Sequence, residues 1–310
     1  MADIKSEFSW SKSRDDIFNT CKRAYYLQYY GSWGGWKEDS PSREAYILKN
    51  LISRQIWIGQ IVHETIKSIL LQYKAGINIS LSQAIQRLKK RLDNDFSVSN
   101  AKLYRQHPKY KVGLFEHEYN LLITKDEWED VFKNAEECVR NFYNSDLFRY
   151  IKSINKNDWI FLEDFLTFSF EGTKVYLSID FAIKEKDRIV LFDWKTGQQR
   201  DIEDIKTQLY CYALYVLQKW NLPANKIGVK IYNARIDKED TFEITPNIID
   251  ETKNYIKDSI SNMQAILTDT KVNQAEESNF PKTEDRRKCN YCNFKKICFS
   301  QGDSVFTGDI

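Results

Sequence analysis

"IVLFDWKTGQQR", residues 189–200, is the stretch on which the fold turns. Ile189 to Phe192 form an apolar run that fits a buried strand, and Asp193 and Lys195 end it with a carboxylate and an ammonium. Side chains alternate along a strand, so Asp193 and Lys195 share one face and Trp194 takes the other. "TKVYLSIDFAI", residues 173–183, reads as the preceding strand, with "EKDR", residues 185–188, as the turn between them. A symmetric hairpin closed by Glu185 and Arg188 sets Asp180 opposite Asp193 and Ser178 opposite Lys195. Facing residues have Cβ atoms about 4.5–5.5 Å apart, and like charges there repel. Two carboxylates so placed need a proton or a cation between them, and a hard divalent ion such as Mg²⁺ is the simplest cation. A plainer arrangement pairs Asp193 with Lys195 and leaves Asp180 in solvent, and the hairpin alone does not choose.

Downstream of this stretch, residues 202–220 have helical period, "KIGVKIYNAR" is a strand, "TFEITP" another, and 247–267 a helix. Upstream, "WIFLEDFLTFSFEG" starts the strand region at about 159. The segment from about 80 to 150 is helical and strongly charged, interrupted near "HPKYKVG". Residues 55–73 carry Ile58, Val62, Ile66 and Ile69 at helical spacing, and Ser13 with Asp16 opens a helix from about 14 to 30 that "GSWGGW" ends. The reading is α/β: a mixed sheet from the middle of the chain, helices packed on it, and a helical region inserted before it. It is one domain over 1–310, with N-terminal helices (1–75), a helical insertion (76–158), a core (159–268) and a cysteine-bearing C-terminal segment (269–310).

Two helical pairs flank the sheet residues. His63 follows Gly59 by one helical turn on the same face; the glycine allows close backbone approach and the imidazole suits a metal. Alone, His63 fits an ordinary partly buried histidine better than a metal ligand. Gln208 and Tyr212 are also one turn apart, at the margin of a stripe made by Leu209, Ala213, Val216 and Trp220, where an amide and a phenol can hold a phosphate or orient the lysine.

The cysteines carry a separate signal. Cys289, Cys292 and Cys298 form a C-x₂-C-x₅-C run that packing does not explain, and Cys21 is the best fourth ligand. Cys138 and Cys211 lie in helical patterns and read as buried thiols. The start, "MADIKSEFSW", lacks the apolar core of a secretory signal, so the expected location is cytoplasmic and disulfides are not expected. That leaves Zn²⁺ or an iron–sulfur cluster. No apolar run approaches the length of a membrane span. With 42% hydrophobic and 29% charged residues the chain fits a soluble globular protein. At a formal charge of +2, nucleic-acid affinity has to come from local patches, and one is formed by Arg286, Arg287, Lys288, Lys295 and Lys296.

A histidine in G-x-x-x-H, an Asp after a strand, "DWKTG" and then Q-x-x-x-Y resemble, in this order, the RecB-like branch of the PD-(D/E)XK nucleases. The cysteines resemble the subset in which one N-terminal and three C-terminal cysteines hold a 4Fe–4S cluster, as in the AddB nuclease domain and the CRISPR-associated RecB-like exonucleases. The motifs run from Cys21 to Cys298, nearly the whole chain. The resemblance implies a restriction-endonuclease-like sheet with an Fe–S clasp joining the two terminal regions. It implies His63, Asp180 and Asp193 as ligands of Mg²⁺ or Mn²⁺, Lys195 to position or activate the attacking water, and Gln208 and Tyr212 in support. Cys21, Cys289, Cys292 and Cys298 would hold the cluster, with Zn²⁺ as the alternative. The implied activity is hydrolysis of DNA phosphodiesters, as an exonuclease on single-stranded or end-bearing DNA, in repair, recombination or antiviral defence. Trp33 and Trp36 could stack on bases of a single strand, and Arg286, Arg287 and Lys288 could meet phosphates. The chain shows no P-loop pattern, so a helicase partner would be a separate protein. The competing readings are a catalytically weak nucleic-acid-binding module with a structural metal or cluster, and a redox protein. All four of His63, Asp180, Asp193 and Lys195 are present, which disfavours the first. A fourth thiol as remote as Cys21 makes a structural clasp and disfavours the second.

Overall fold

The computed structural model describes residues 7–197 and 202–299. In chain order its strands are β1 (Ser9–Trp10), β2 (Leu51–Ile52), β3 (Gly113–Leu114), β4 (Trp159–Phe170), β5 (Thr173–Glu185), β6 (Arg188–Lys195), β7 (Ile227–Asn233) and β8 (Lys238–Glu243). The helices are α1 (Lys12–Thr20), α2 (Lys22–Tyr26), α3 (Arg43–Leu48), α4 (Arg54–Lys74), α5 (Leu81–Asn100), α6 (Phe115–Glu118), α7 (Lys125–Asn144), α8 (Asp146–Ser153), α9 (Ile202–Trp220), α10 (Pro246–Gln264), α11 (Arg287–Asn290) and α12 (Lys295–Cys298).

The sheet runs β1-β5-β6-β7-β8, and β4 pairs with the other edge of β5. It is mixed: β1 is parallel to β5 and β6 to β7, while β4–β5, β5–β6 and β7–β8 are antiparallel. Helix α9 makes the crossover that a parallel β6–β7 pair needs. One edge of β5 is shared. β6 occupies it from Phe181 to Glu185, and β1 occupies it at Lys174 and Val175. Between the two lies a notch at residues 176–180.

Helices cover both faces, which explains the unbroken apolar run of β6. Ile189 and Leu191 pack toward α9 and α10, with Leu209, Leu214, Ile256 and Met263. Val190, Phe192 and Trp194 pack toward α4, α5, α7 and α8, with Ile61, Leu88, Val139 and Phe148. The helices start where the sequence supplies caps. Ser53 accepts the Ile56 N–H at the head of α4, and Ser80/Gln83 and Thr124/Glu127 form reciprocal capping boxes on α5 and α7.

Two expectations are corrected at the N-terminus. Ser11, not Ser13, caps α1, and the helix expected over 14–30 breaks at Cys21, which is extended (φ −162°, ψ 116°). The restart is fixed from the far end of the chain: Arg23 donates its backbone N–H to Pro281 O (3.1 Å) and its Nε to Phe280 O (2.7 Å). A π-helical turn, Leu27–Gly31, then leads into the Trp33–Trp36 loop.

Candidate active site

The β5–β6 hairpin has the expected register from Glu185↔Arg188 to Phe181↔Phe192, and the ladder stops one pair before Asp180 and Asp193. Ser178 does not face Lys195; it pairs with Phe165 on β4. The strands part here because side chains take over the next rung. Hydrogen-bonded rungs fall at every second pair, so Trp194 is next in line to exchange backbone bonds with β5. Instead its N–H donates to Asp180 Oδ2 (2.7 Å), and its carbonyl lies 3.1 Å from His63 Nε2. One peptide unit thus orients two site residues, while the Trp194 ring is buried on the opposite face against Phe142 and Phe181.

A carbonyl can only accept, so Nε2 carries the imidazole proton in the neutral ring and Nδ1 presents a lone pair. Nδ1 lies 3.4 Å from Glu163 Oε1 and 3.5 Å from Asp180 Oδ1. Among the described residues, His63, Glu163 and Asp180 form a group whose ligand atoms all fall within 4.8 Å of one another. Burial opposes a charge on His63, but the Asp180 and Glu163 carboxylates outweigh it and hold its pKa well above the ordinary value. Glu163 Oε1 is buried with no hydrogen-bond partner among the described residues. An imidazole nitrogen and two carboxylates brought this close, one of them with an orphaned oxygen, fit a divalent cation.

Glu163 was not among the residues singled out from the sequence. Its backbone is left-handed (φ 53°), a conformation that costs a non-glycine residue about 1–3 kcal/mol and concentrates at functional sites. The strands change phase at this point. On β4, Leu166, Phe168 and Phe170 face the α9 side but Leu162 faces the α4 side; on β5, Val175, Leu177 and Ile179 face α9 but Phe181 and Ile183 face α4. The pairs Leu162↔Phe181 and Asp164↔Ile179 keep one register, so both strands reverse at the same rung, that of Glu163 and Asp180. The signal was present as a slip in the apolar alternation around "FLEDFL". Helix α4 clamps this rung: one turn beyond His63, Lys67 Nζ donates to Glu163 O (3.1 Å).

Asp193 stands outside that close group. Its Oδ2 is 2.6 Å from Lys195 Nζ, an ion pair without hydrogen-bond geometry, since this buried oxygen makes no hydrogen bond among the described residues. Burial pushes the Asp193 carboxyl up, the Lys195 ammonium pulls it back, and the Asp180 charge adds to the rise. Lys195 Nζ also donates to Gln208 Oε1 (3.3 Å), and the Gln208 amide donates to the Tyr212 hydroxyl. Burial and the nearby Asp193 and Asp180 carboxylates keep that phenol protonated. Gly59 lies against a side chain beside the site rather than against backbone: a Cβ there would lie 3.3 Å from Thr196 Oγ1.

A model of the PD-(D/E)XK nuclease superfamily matches residues 9–299. The chain belongs to that superfamily. No curated protein matches it. Membership of the superfamily and the His63/Glu163/Asp180 group together give the chain nuclease-type catalytic potential and imply nucleic-acid binding. Among the described residues, no helix is long and apolar enough to cross a membrane.

The remaining expected residues divide. Cys289, Cys292 and Cys298 and the distant Cys21 come near enough that the other thiols raise the pKa of each of the first three, behind the larger effect of burial. They do not form a group with all sulfurs within 4.8 Å. Phe294 is buried beside them, and Tyr291 is 65% exposed. Cys138 and Cys211 are inert buried thiols, both pushed up to about 12 by burial. Trp33 and Trp36 form an exposed edge-to-face pair, centroids 5.2 Å apart. Arg286 stacks on Phe299, Arg287 pairs with Asp285, and Lys288 is exposed. The expected basic patch is smaller than its sequence suggests. Lys295 is buried over Phe115 and Tyr119, and Lys296 pairs with Glu44 and Glu118.

Proposed function

We propose that the protein is a metal-dependent deoxyribonuclease that works as an exonuclease on single-stranded or end-bearing DNA. The observation that carries this reading is the convergence of His63 Nδ1, Glu163 Oε1 and Asp180 Oδ1 on one point. These three would hold Mg²⁺ or Mn²⁺, with Asp193 as the further ligand that the resemblance implies. The cation, when bound, lowers the pKa of water and neutralises phosphate charge. Lys195 directs its ammonium at the charge that develops on the scissile phosphate. Asp193 pairs with that ammonium, and Gln208, itself held by Tyr212, fixes its direction. The exonuclease mode, the preference for free ends and a role in repair, recombination or antiviral defence follow from the RecB-like resemblance. End-labelled single- and double-stranded DNA, linear and circular, with Mg²⁺ or Mn²⁺ is the test. Linear strands should shorten progressively, chelator should stop the reaction, and circles should survive. Cleaved circles would reject the exonuclease mode, and no cleavage of any substrate would reject the function.

The same reading places a 4Fe–4S cluster on Cys21, Cys289, Cys292 and Cys298, clasping the two terminal regions. Several features support it. Arg23 ties the Cys21 segment to Phe280 and Pro281, Tyr119 OH donates to Asn293 O (2.6 Å), and the Phe294 N–H is directed at Cys292 Sγ (3.4 Å). With Zn–S bonds of about 2.3 Å, a zinc tetrathiolate draws its sulfurs to within roughly 4 Å of one another. The four thiols do not form such a group among the described residues, and the choice between a cubane and Zn²⁺ rests on the resemblance. Anaerobically purified protein should be brown and contain about four irons per chain. Cys21→Ala should bleach it, and Cys138→Ala should not. Colourless protein holding one zinc would replace the cluster by Zn²⁺, and full colour in Cys21→Ala would remove the clasp.

A further inference from the structure

Half of the β4–β5 ribbon leaves one face open. On it, Phe165, Thr167 and Ser169 of β4 pair with Ser178, Tyr176 and Lys174 of β5, while the reverse face is buried against α9 and α10. Phe165 is 71% exposed, and its ring stacks on the diagonal Tyr176, with centroids 5.3 Å apart and planes 19° from parallel. A cross-strand aromatic pair often serves the sheet alone. Three features set this one apart. These six side chains include no carboxylate, in a chain with 44 Asp and Glu residues. The open face is the one that α4 covers further along, and from which His63 enters. Phe165 lies two residues beyond Glu163, and Ser178 two residues before Asp180. Two residues of strand span about 7 Å, the reach of a single extended nucleotide.

We propose that Phe165 and Tyr176 form the platform on which the base next to the scissile phosphate stacks, and that the open β4–β5 face is the path of a single-stranded substrate. This rests on the nuclease reading above and adds what selects the strand. Aromatic rings accept any base by its π-face, whereas bases within a duplex are covered by their neighbours. The platform therefore discriminates single from double strands without reading sequence.

The test is steady-state cleavage of labelled single-stranded oligonucleotides. Base–aromatic stacking of the usual strength predicts that Phe165→Ala raises KM about tenfold, with kcat close to the parent value. Phe165→Trp should restore KM and Phe165→Leu should not, and all three should melt like the parent because the ring is exposed. An abasic nucleotide stepped along the strand should weaken cleavage most at one position beside the scissile bond, and Phe165→Ala should erase that penalty. Parent protein that cuts single strands while Phe165→Ala has an unchanged KM, or keeps the abasic penalty, overturns the platform and leaves the nuclease standing. Parent protein that cuts no DNA overturns both. A parent dimer that Phe165→Ala disrupts would assign the face to a second copy of the chain and overturn the proposal.

Discussion

Lys195→Ala is expected to slow DNA cleavage by about 10²–10³-fold, the usual cost of removing one group that stabilises transition-state charge. The lysine suits that role because of what holds it. Its ammonium sits between the Asp193 carboxylate (2.6 Å) and the Gln208 carbonyl oxygen (3.3 Å), at the end of a strand that is locked on both sides. On the far side, Lys195 O accepts the Ala234 N–H (2.7 Å), so the backbone has little freedom to misplace the side chain. Truncation leaves Asp193 without its counter-ion, and burying a lone carboxylate is costly. Burial already pushes that carboxyl up, so it can take a proton rather than unfold the sheet. The variant should therefore remain folded by circular dichroism while single-turnover cleavage collapses. Lys195→Arg should recover little activity, because the planar guanidinium fork does not fit the space of a compact ammonium. Cleavage at the parent rate in Lys195→Ala would remove the lysine from the chemistry.

How much of this was legible depended on how local the cause was. The β5–β6 hairpin was readable because a four-residue polar turn and strict alternation fix a register within a dozen residues, and that register holds to Phe181↔Phe192. The next rung was not readable. Ser178 was expected opposite Lys195, but the strands part because His63, on a helix more than a hundred residues away, takes the Trp194 carbonyl. Glu163 escaped for a related reason. An acid inside an apolar strand reads as a solvent-facing position unless the slip in alternation is noticed, and its left-handed backbone is sustained by contacts from α4. The break at Cys21 was hidden because "FNTCKRAYYLQYY" has unbroken helical character, and the interruption is stabilised by Phe280 and Pro281. The same holds for Lys295 and Lys296, whose burial and acidic partners, Glu44 and Glu118, belong to other segments. What packing imposed from afar was invisible; what turn chemistry and periodicity imposed nearby was not.

Asp180 offers the sharpest separation between the proposed metal role and holding the fold, because the two fall to different atoms. Oδ2 accepts the Trp194 N–H at 2.7 Å, and Oδ1 faces His63 Nδ1 at 3.5 Å in the group with Glu163. Asp180→Ala removes both functions and orphans a buried N–H, which costs about 1–3 kcal/mol of stability. Asp180→Asn keeps a carbonyl oxygen for the Trp194 N–H but removes the charge that attracts a cation. It relieves the crowding of Asp180 with Glu163 and Asp193 but also takes a carboxylate partner from His63, so its melting temperature should stay close to that of the parent. If the group binds metal, both variants should lose Mn²⁺ binding by titration calorimetry, and both should lose at least about 10²–10³-fold in cleavage rate. Only the alanine variant should melt lower. The two readouts then move apart: stability follows the hydrogen bond to Trp194, and activity follows the carboxylate. An Asp180→Asn protein that still binds Mn²⁺ and still cuts DNA would show that this side chain does no more than brace the parting strands, and the metal site would have to be sought elsewhere.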